Sequence, residues 1–410
     1  MKNWKTNTVL FLVSQAMTLF GSTVVQMAVI WFVTKQTSLG KWVAVFTICS
    51  YLPQFLISFA GGVWADRYDR KHIIIGTDAV IALVTFGMFL LVPYIVGAGH
   101  QNMLLYALLV MSAVRSFGAG IQTPAVYAVL PSIAPETELM RFNGINATFQ
   151  AVMQFASPAA AGMLLSYSSI RYALLVDVVT AAIGISMCLF VAIPQITSEG
   201  KGDAVPETNA SDTKQTFFTD MKYGLRYVAS SPLIARVLIV YGLFIFLSTP
   251  AGFLAQLYVN RTYGTAYWYM TAVELVGFFG MTGGGILMST WGGFKNRQKT
   301  FATGLALFGV LAVGMGFSPN FILYLGCMLL YGIALTITQT AATTLIQENA
   351  EVSMQGRVFG LLSSAYALFL PIGMAVFGPL ADTMSMKIIM IASGLILFLI
   401  GGTVHISTAY

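Results

Sequence analysis

The chain has 410 residues, of which 57% are hydrophobic and only 9% charged, with a mean hydropathy of +0.79 and a formal net charge of +6. A soluble globular domain carries about a quarter charged residues, so this composition excludes one. The basic excess does not indicate nucleic-acid binding, because the charges fall largely in the segments between apolar stretches.

A bilayer core requires about 20 apolar residues per crossing helix. The sequence predicts twelve, at 8–33, 42–65, 73–96, 103–128, 144–167, 170–193, 233–258, 267–290, 300–318, 320–346, 358–381 and 387–408. The first begins at once and is full length, without the short apolar region and cleavage site of a signal peptide, so it is expected to remain in the mature protein. With a cytoplasmic N-terminus, fifteen Lys and Arg residues face the cytoplasm, five face outward and Arg115 lies inside a span. That positive-inside bias predicts that both termini are cytoplasmic. The expected architecture is an all-α integral membrane protein of two six-helix bundles, 1–194 and 233–410, joined by a cytoplasmic linker at 195–232.

In chain order, the first span offers Gln15, Gln26, Met27 and Trp31 to a central cavity. The next two spans are separated by Gly62-Val63-Trp64-Ala65-Asp66-Arg67-Tyr68-Asp69-Arg70-Lys71. Gly62 lets two helices approach closely. Asp66 and Arg70, four apart, are within pairing reach if the helix continues that far. Asp66 also stands at the unfavourable end of its own helix dipole and would gain from another helix N-terminus or from Arg357. The group Gly62, Asp66, Arg67, Arg70, Lys71 and Arg357 therefore reads as a conformational latch and not a substrate site. Asp78, early in the third span, is expected to brace this basic loop.

Ionisable residues in hydrocarbon are costly and mark function by default. Arg115 lies near mid-membrane and needs acceptors, for which Gln122, Gln150, Gln154 and a carboxylate are the candidates. It sets the field of a cavity or, alternatively, is satisfied by helix packing. Asp177 in the sixth span and Glu274 in the eighth are the proton-coupling candidates together with Arg115. Apolar neighbours Val273, Leu275 and Val276 favour the neutral form of Glu274, as a proton carrier requires, although it also suits a cationic amine. Ser157-Pro158-Ala159-Ala160-Ala161-Gly162 allows tight packing and a bend.

Residues 195–213 are too polar to bury, and Thr216 to Tyr227 reads as an amphipathic helix on the cytoplasmic surface. The halves repeat faintly: Arg141 and Arg357 each precede a span that contains a proline, Pro158 or Pro371, and a glycine 21 residues after the arginine, Gly162 or Gly378. Further cavity candidates are Phe244, Phe278, Gln339 and Tyr366. Cys49, Cys188 and Cys327 are widely spaced within spans and form neither a disulfide framework nor a metal site. No phosphate-cradling loop or His-Glu-x-x-His run is present, and His72, His100 and His405 stand near span ends, so neither an enzyme nor ATP as energy source is expected.

The Gly62 to Lys71 loop, Arg115-Ser116-Phe117-Gly118 with Thr123-Pro124-Ala125, Leu130 to Glu136, Val176-Asp177-Val178, Glu274 with Gly283-Gly284-Gly285, and Gly356-Arg357-Val358-Phe359 with Pro371-Ile372-Gly373 narrow the family. Over nearly all its length the chain resembles the macrolide-efflux branch of the drug:proton antiporters of the major facilitator superfamily. The resemblance implies the major facilitator fold in a bacterial cytoplasmic membrane. It implies efflux of bulky hydrophobic or cationic compounds by alternating access, with no cofactor and the proton gradient as energy source. Amphiphilic substrates, protons and membrane lipids are the expected partners, nucleic acid is not, and the chain is expected to be monomeric. A lysolipid or lipid flippase is the alternative transporter, and a non-transporting membrane sensor or assembly partner is the alternative of another class.

Overall fold

In hydrocarbon every backbone N–H and C=O must be satisfied within the segment, so apolar stretches of this length form helices. A computed structural model describes residues 4–133, 139–193 and 226–407. Its helices are α1 (Trp4–Thr37), α2 (Gly40–Arg67), α3 (Arg70–Gly97), α4 (Gln101–Ile133), α5 (Leu139–Tyr167), α6 (Ile170–Phe190), α7 (Pro232–Ser248), α8 (Ala255–Thr262), α9 (Tyr267–Trp291), α10 (Arg297–Phe317), α11 (Phe321–Asn349), α12 (Val352–Thr383) and α13 (Met386–Ser407), and no strand occurs among the described residues. Ten are long and apolar enough to cross a bilayer, and α7 is a shorter apolar helix. Counting α5 and the α7–α8 pair as one crossing each gives twelve. Large apolar side chains such as Phe190 and Ile322 are more than 80% exposed. In water such a surface would drive aggregation, whereas acyl chains solvate it at no cost.

The chain divides into two compact units, one of Met1–Ser38, Val45–Ser198 and Gly264–Thr271, the other of Leu39–Ala44, Glu199–Tyr263 and Ala272–Tyr410. In the first, α1 packs on α5 and α6, and α3 packs on α4 and α6. Gly21 of α1 faces Asp177 and Thr180 of α6, while Gly184 of α6 faces Ser14 and Thr18 of α1, so neither position has room for a side chain. Phe11, Leu12, Ala65, Ile74, Ala125, Val129, Ile133 and Cys188 close one end of this unit as an apolar cluster. In the second unit α10 packs on α11 and α13, with Gly309 against Gly394 and Gly401 against Ala306. The two glycines singled out by the sequence repeat both mark tight crossings. Gly162 abuts Thr271 within the first unit, and Gly378 abuts Gly40 and Ala44 within the second. All three cysteines are free.

Two expectations change. The span at 233–258 is not one helix: α7 stops at Ser248 and α8 starts at Ala255. Pro250 has no N–H to donate. The Thr249 N–H bonds Phe246 O at 3.3 Å, and both Phe253 and Leu254 donate to Thr249 O, which ends the regular ladder. Nor does a helix run through the Asp66–Arg70 loop, since α2 ends at Arg67 and α3 starts at Arg70. Gly62 and the side chains of Asp66, Arg67 and Arg357 lie outside the described residues, as do most of the linker and of the amphipathic segment; residues 226–230 are helical. Of the remaining latch residues, Arg70 Nε donates to Ala65 O at 3.0 Å. Lys71 Nζ donates to Leu189 O at 2.7 Å and Val191 O at 2.8 Å, so this cation satisfies the carbonyl end of α6. Asp69 caps α3 by accepting from the Lys71 N–H at 2.8 Å.

A second helix end is satisfied from far along the chain. Asp382 accepts from the N–H groups of Gly40 at 2.6 Å and Lys41 at 3.0 Å, the first of α2, and pairs with Arg261 Nη2 at 2.7 Å. A carboxylate there meets both orphan donors and the positive end of the helix dipole. Asp382→Ala is expected to cost about 2 kcal/mol. Asp382→Asn, which keeps an acceptor but loses the charge, is expected to cost less. Thermal unfolding of the detergent-solubilised protein, followed by tryptophan fluorescence, checks the order; equal melting of all three would show that the cap contributes nothing.

Candidate functional site

The first unit encloses a cavity of about 360 Å3. Its wall is built by periodicity: Gln15, Leu19, Ser22 and Gln26 recur along α1 at steps of three or four, as do Ser112, Arg115, Ala119 and Gln122 along α4. α2 adds Ser50 and Gln54, α3 adds Asp78 and Ile81, and α5 adds Asn146, Phe149 and Gln150. Carboxamides and hydroxyls stand among apolar surface, with Tyr127 and Phe149 the aromatic side chains present.

From this wall Arg115 reaches back to form a forked ion pair with Asp177. One guanidinium nitrogen donates to Asp177 Oδ2 and to Thr85 Oγ1, and the other donates to Asp177 Oδ1 at 3.2 Å. Ser22 Oγ donates to Asp177 Oδ1 at 3.5 Å. The Arg115 and Asp177 side chains are 10% and 2% exposed, so the pair is desolvated, and a forked geometry is what repays that cost. Since the two charges cancel, the carboxylate that remains on the cavity wall is Asp78. It is 5% exposed, and its Oδ1 accepts from Gln122 Nε2 at 2.8 Å. Asp78 thus does not brace the basic loop. It lies about two turns beyond Arg70, well inside the helix, while Lys71 is held by the end of α6.

Among the residues expected at a cavity, Gln15, Gln26 and Gln150 line this one. Trp31 and Phe244 do not: both are 0% exposed, Phe244 in edge contact with Phe308 at 4.8 Å. Their bulk and apolarity fill the cores of their units instead. Gln154 is exposed, and Met27, Phe278, Gln339 and Tyr366 are half-buried outside this lining. Glu274 belongs to the second unit, where it accepts a hydrogen bond from Gln256 of α8. Gln54, Ser112, Ser116, Asn146 and the cavity role of Asp78 were not anticipated. The signal for them is polar residues recurring at helical spacing within apolar spans, which a search for aromatic and thioether surface passes over.

A family model described as Major Facilitator Superfamily matches residues 11–374. The chain is 26% identical over 400 residues to Macrolide efflux protein A of Streptococcus pyogenes, covering 97% of this chain and 95% of that protein. It is 24% identical over 359 residues to the enterobactin exporter EntS of Shigella boydii serotype 4, covering 85% and 78%. Among solved structures, a bacterial homologue of the iron transporter ferroportin in its inward-facing state superposes with a TM-score of 0.72 at 16% identity, covering 97% of this chain and 98% of that one.

Removing one member of the Arg115–Asp177 pair strands the other in a low-dielectric interior. Asp177→Asn is expected to destabilise the protein by about 3 kcal/mol, and Arg115→Met combined with Asp177→Leu to recover most of that loss. Melting in detergent distinguishes the cases. A double variant no more stable than the single would mean that the pair does more than cancel its own burial cost.

Proposed function

The chain belongs to the major facilitator superfamily, and on that premise we propose that this transporter exports bulky hydrophobic or cationic compounds of macrolide type across the bacterial cytoplasmic membrane in exchange for protons. The observation that carries the reading is the match along nearly the whole chain to a protein named for macrolide efflux, supported by a second relative named as an exporter. The cavity adds to it. A volume of about 360 Å3 lies in the range of small-molecule sites, and amide and hydroxyl groups set among apolar surface suit an amphiphile.

In the proposed cycle the chain works by alternating access, with both termini in the cytoplasm. Glu274 takes a proton from outside, and among the described residues its hydrogen-bond partner is the neutral Gln256 amide, which supplies no counter-cation to compete with that proton. Arg115 and Asp177 hold α3, α4 and α6 together and fix the field behind the substrate wall. Substrate leaves as the proton binds. The proton is released inside when the carboxylate faces the cytoplasm, and the Gly62, Asp66, Arg67, Arg70, Lys71 and Arg357 segment latches one of the two states. The chain acts as a monomer.

Inverted membrane vesicles with a preset acidic interior test the coupling. Addition of a 14-membered macrolide is expected to release protons in the wild type and not in Glu274→Gln, read by a pH-sensitive fluorophore. Release persisting in the variant would move the proton to another carboxylate. No release in either would sink the macrolide:proton reading.

A further inference from the structure

The cavity holds one carboxylate whose charge the described residues do not balance. Asp78 projects from α3 at 5% exposure, and Gln122 occupies one of its oxygens. On α3 and the helices packed on it, the nearby charged and titratable groups among the described residues are engaged or neutral. On α4, Arg115 is committed to Asp177 and Thr85, and Gln122 and Tyr127 are neutral. On α6 stand Asp177, already paired, and Cys188, a free thiol. On α3 itself, Lys71 gives its ammonium to the carbonyls of Leu189 and Val191, and His72 pairs with Asp69 at 3.0 Å.

A buried carboxylate without a cation costs several kcal/mol as an anion, so it is satisfied by a proton or by a cation that takes the proton's place. The groups that share the cavity with Asp78 say what kind. Gln15, Gln54, Asn146 and Gln150 present neutral donors and acceptors, which hold polar substituents of either sense, and Ile81, Val126 and Phe149 supply apolar surface. One negative charge selects a monovalent cation; with Arg115 engaged, no free cation among the described residues of the wall attracts an anion. We propose that Asp78, oriented by Gln122, is the anionic anchor for the cationic group of an amphiphilic substrate in the cavity of the first unit. This names the substrate class of the exporter reading and rests on it for context, yet it concerns equilibrium binding and needs no proton gradient.

Tetraphenylphosphonium and tetraphenylborate share shape and apolar surface but differ in the sign of their charge. Binding of both to the purified full-length protein in detergent, without a gradient, is the test. Wild type is expected to prefer the phosphonium. Asp78→Asn is expected to lose about tenfold or more of that affinity while Asp78→Glu keeps most of it. If the Asn variant does not stay monodisperse, carbodiimide labelling of the wild type replaces it: mass spectrometry is expected to find an adduct at Asp78 that tetraphenylphosphonium prevents. Equal binding of the two probes, an Asp78→Asn variant that binds like wild type, or labelling indifferent to the phosphonium would each overturn the proposal. Loss of drug-driven proton release with phosphonium binding intact would instead remove the antiport reading and leave the anchor standing.

Discussion

The Arg115–Asp177 pair is the interaction on which the first unit depends. It joins the middles of α4 and α6, reaches Thr85 on α3 through the same guanidinium, and takes a further hydrogen bond from Ser22 on α1. Four helices thus converge on two charges that neither can lose alone. An arginine cannot shed its proton to escape hydrocarbon, so its partner must be a carboxylate or a set of dipoles. The requirement is met at one place and sets the register of the surrounding helices. Gly21 and Gly184 are consequences of that register: α1 must lie close enough to α6 for Ser22 to reach Asp177, which leaves no space for a Cβ at either glycine.

The same economy governs helix ends. Lys71 serves the carbonyls at the end of α6, Asn7 both donates to and accepts from Ala192 at 2.7 Å, and Asp382 serves the first N–H groups of α2. Each device uses a polar side chain from a distant part of the chain where a local cap would satisfy the same groups. Long-range caps fix neighbouring helices to one another as well as satisfying their orphan groups, and they break as units when helices move apart. A transporter that alternates between states needs contacts of this kind, few in number and located at helix ends, more than it needs a continuous apolar seam.

How much of this was legible in the sequence follows from the physics of each signal. The twelve spans were readable because a bilayer demands length and apolarity in contiguous residues. The break at Thr249–Leu254 was not, because Pro250 lies inside an apolar run and hydropathy does not register a missing N–H. Of the glutamines offered to a substrate cavity, Gln15, Gln26 and Gln150 line the cavity of the first unit while Gln154 and Gln339 do not, because an amide in an apolar span signals polar surroundings without saying which. Trp31 and Phe244 were misplaced because aromatic rings fill cores and cavities alike, and sequence alone does not tell the two apart. Asp78 was read as bracing the basic loop because it stands early in its span, but the helix sets it about two turns beyond Arg70, where Gln122 is its partner. The pairing of Arg115 with Asp177, 62 residues away, has no local signal at all.

The three carboxylates within the spans therefore divide by what stands beside them. Asp177 is held by a guanidinium whose own position depends on it, so it is bound into the scaffold. Asp78 and Glu274 are each held by a single carboxamide, Gln122 and Gln256. A carboxamide orients an anion without neutralising it, and it can reverse its donor and acceptor roles when the anion gains a proton or a cation. A guanidinium, which only donates, has no such freedom. The proposed exchange of proton for cationic substrate would use carboxylates held by carboxamides, and the chain places one such residue in each compact unit.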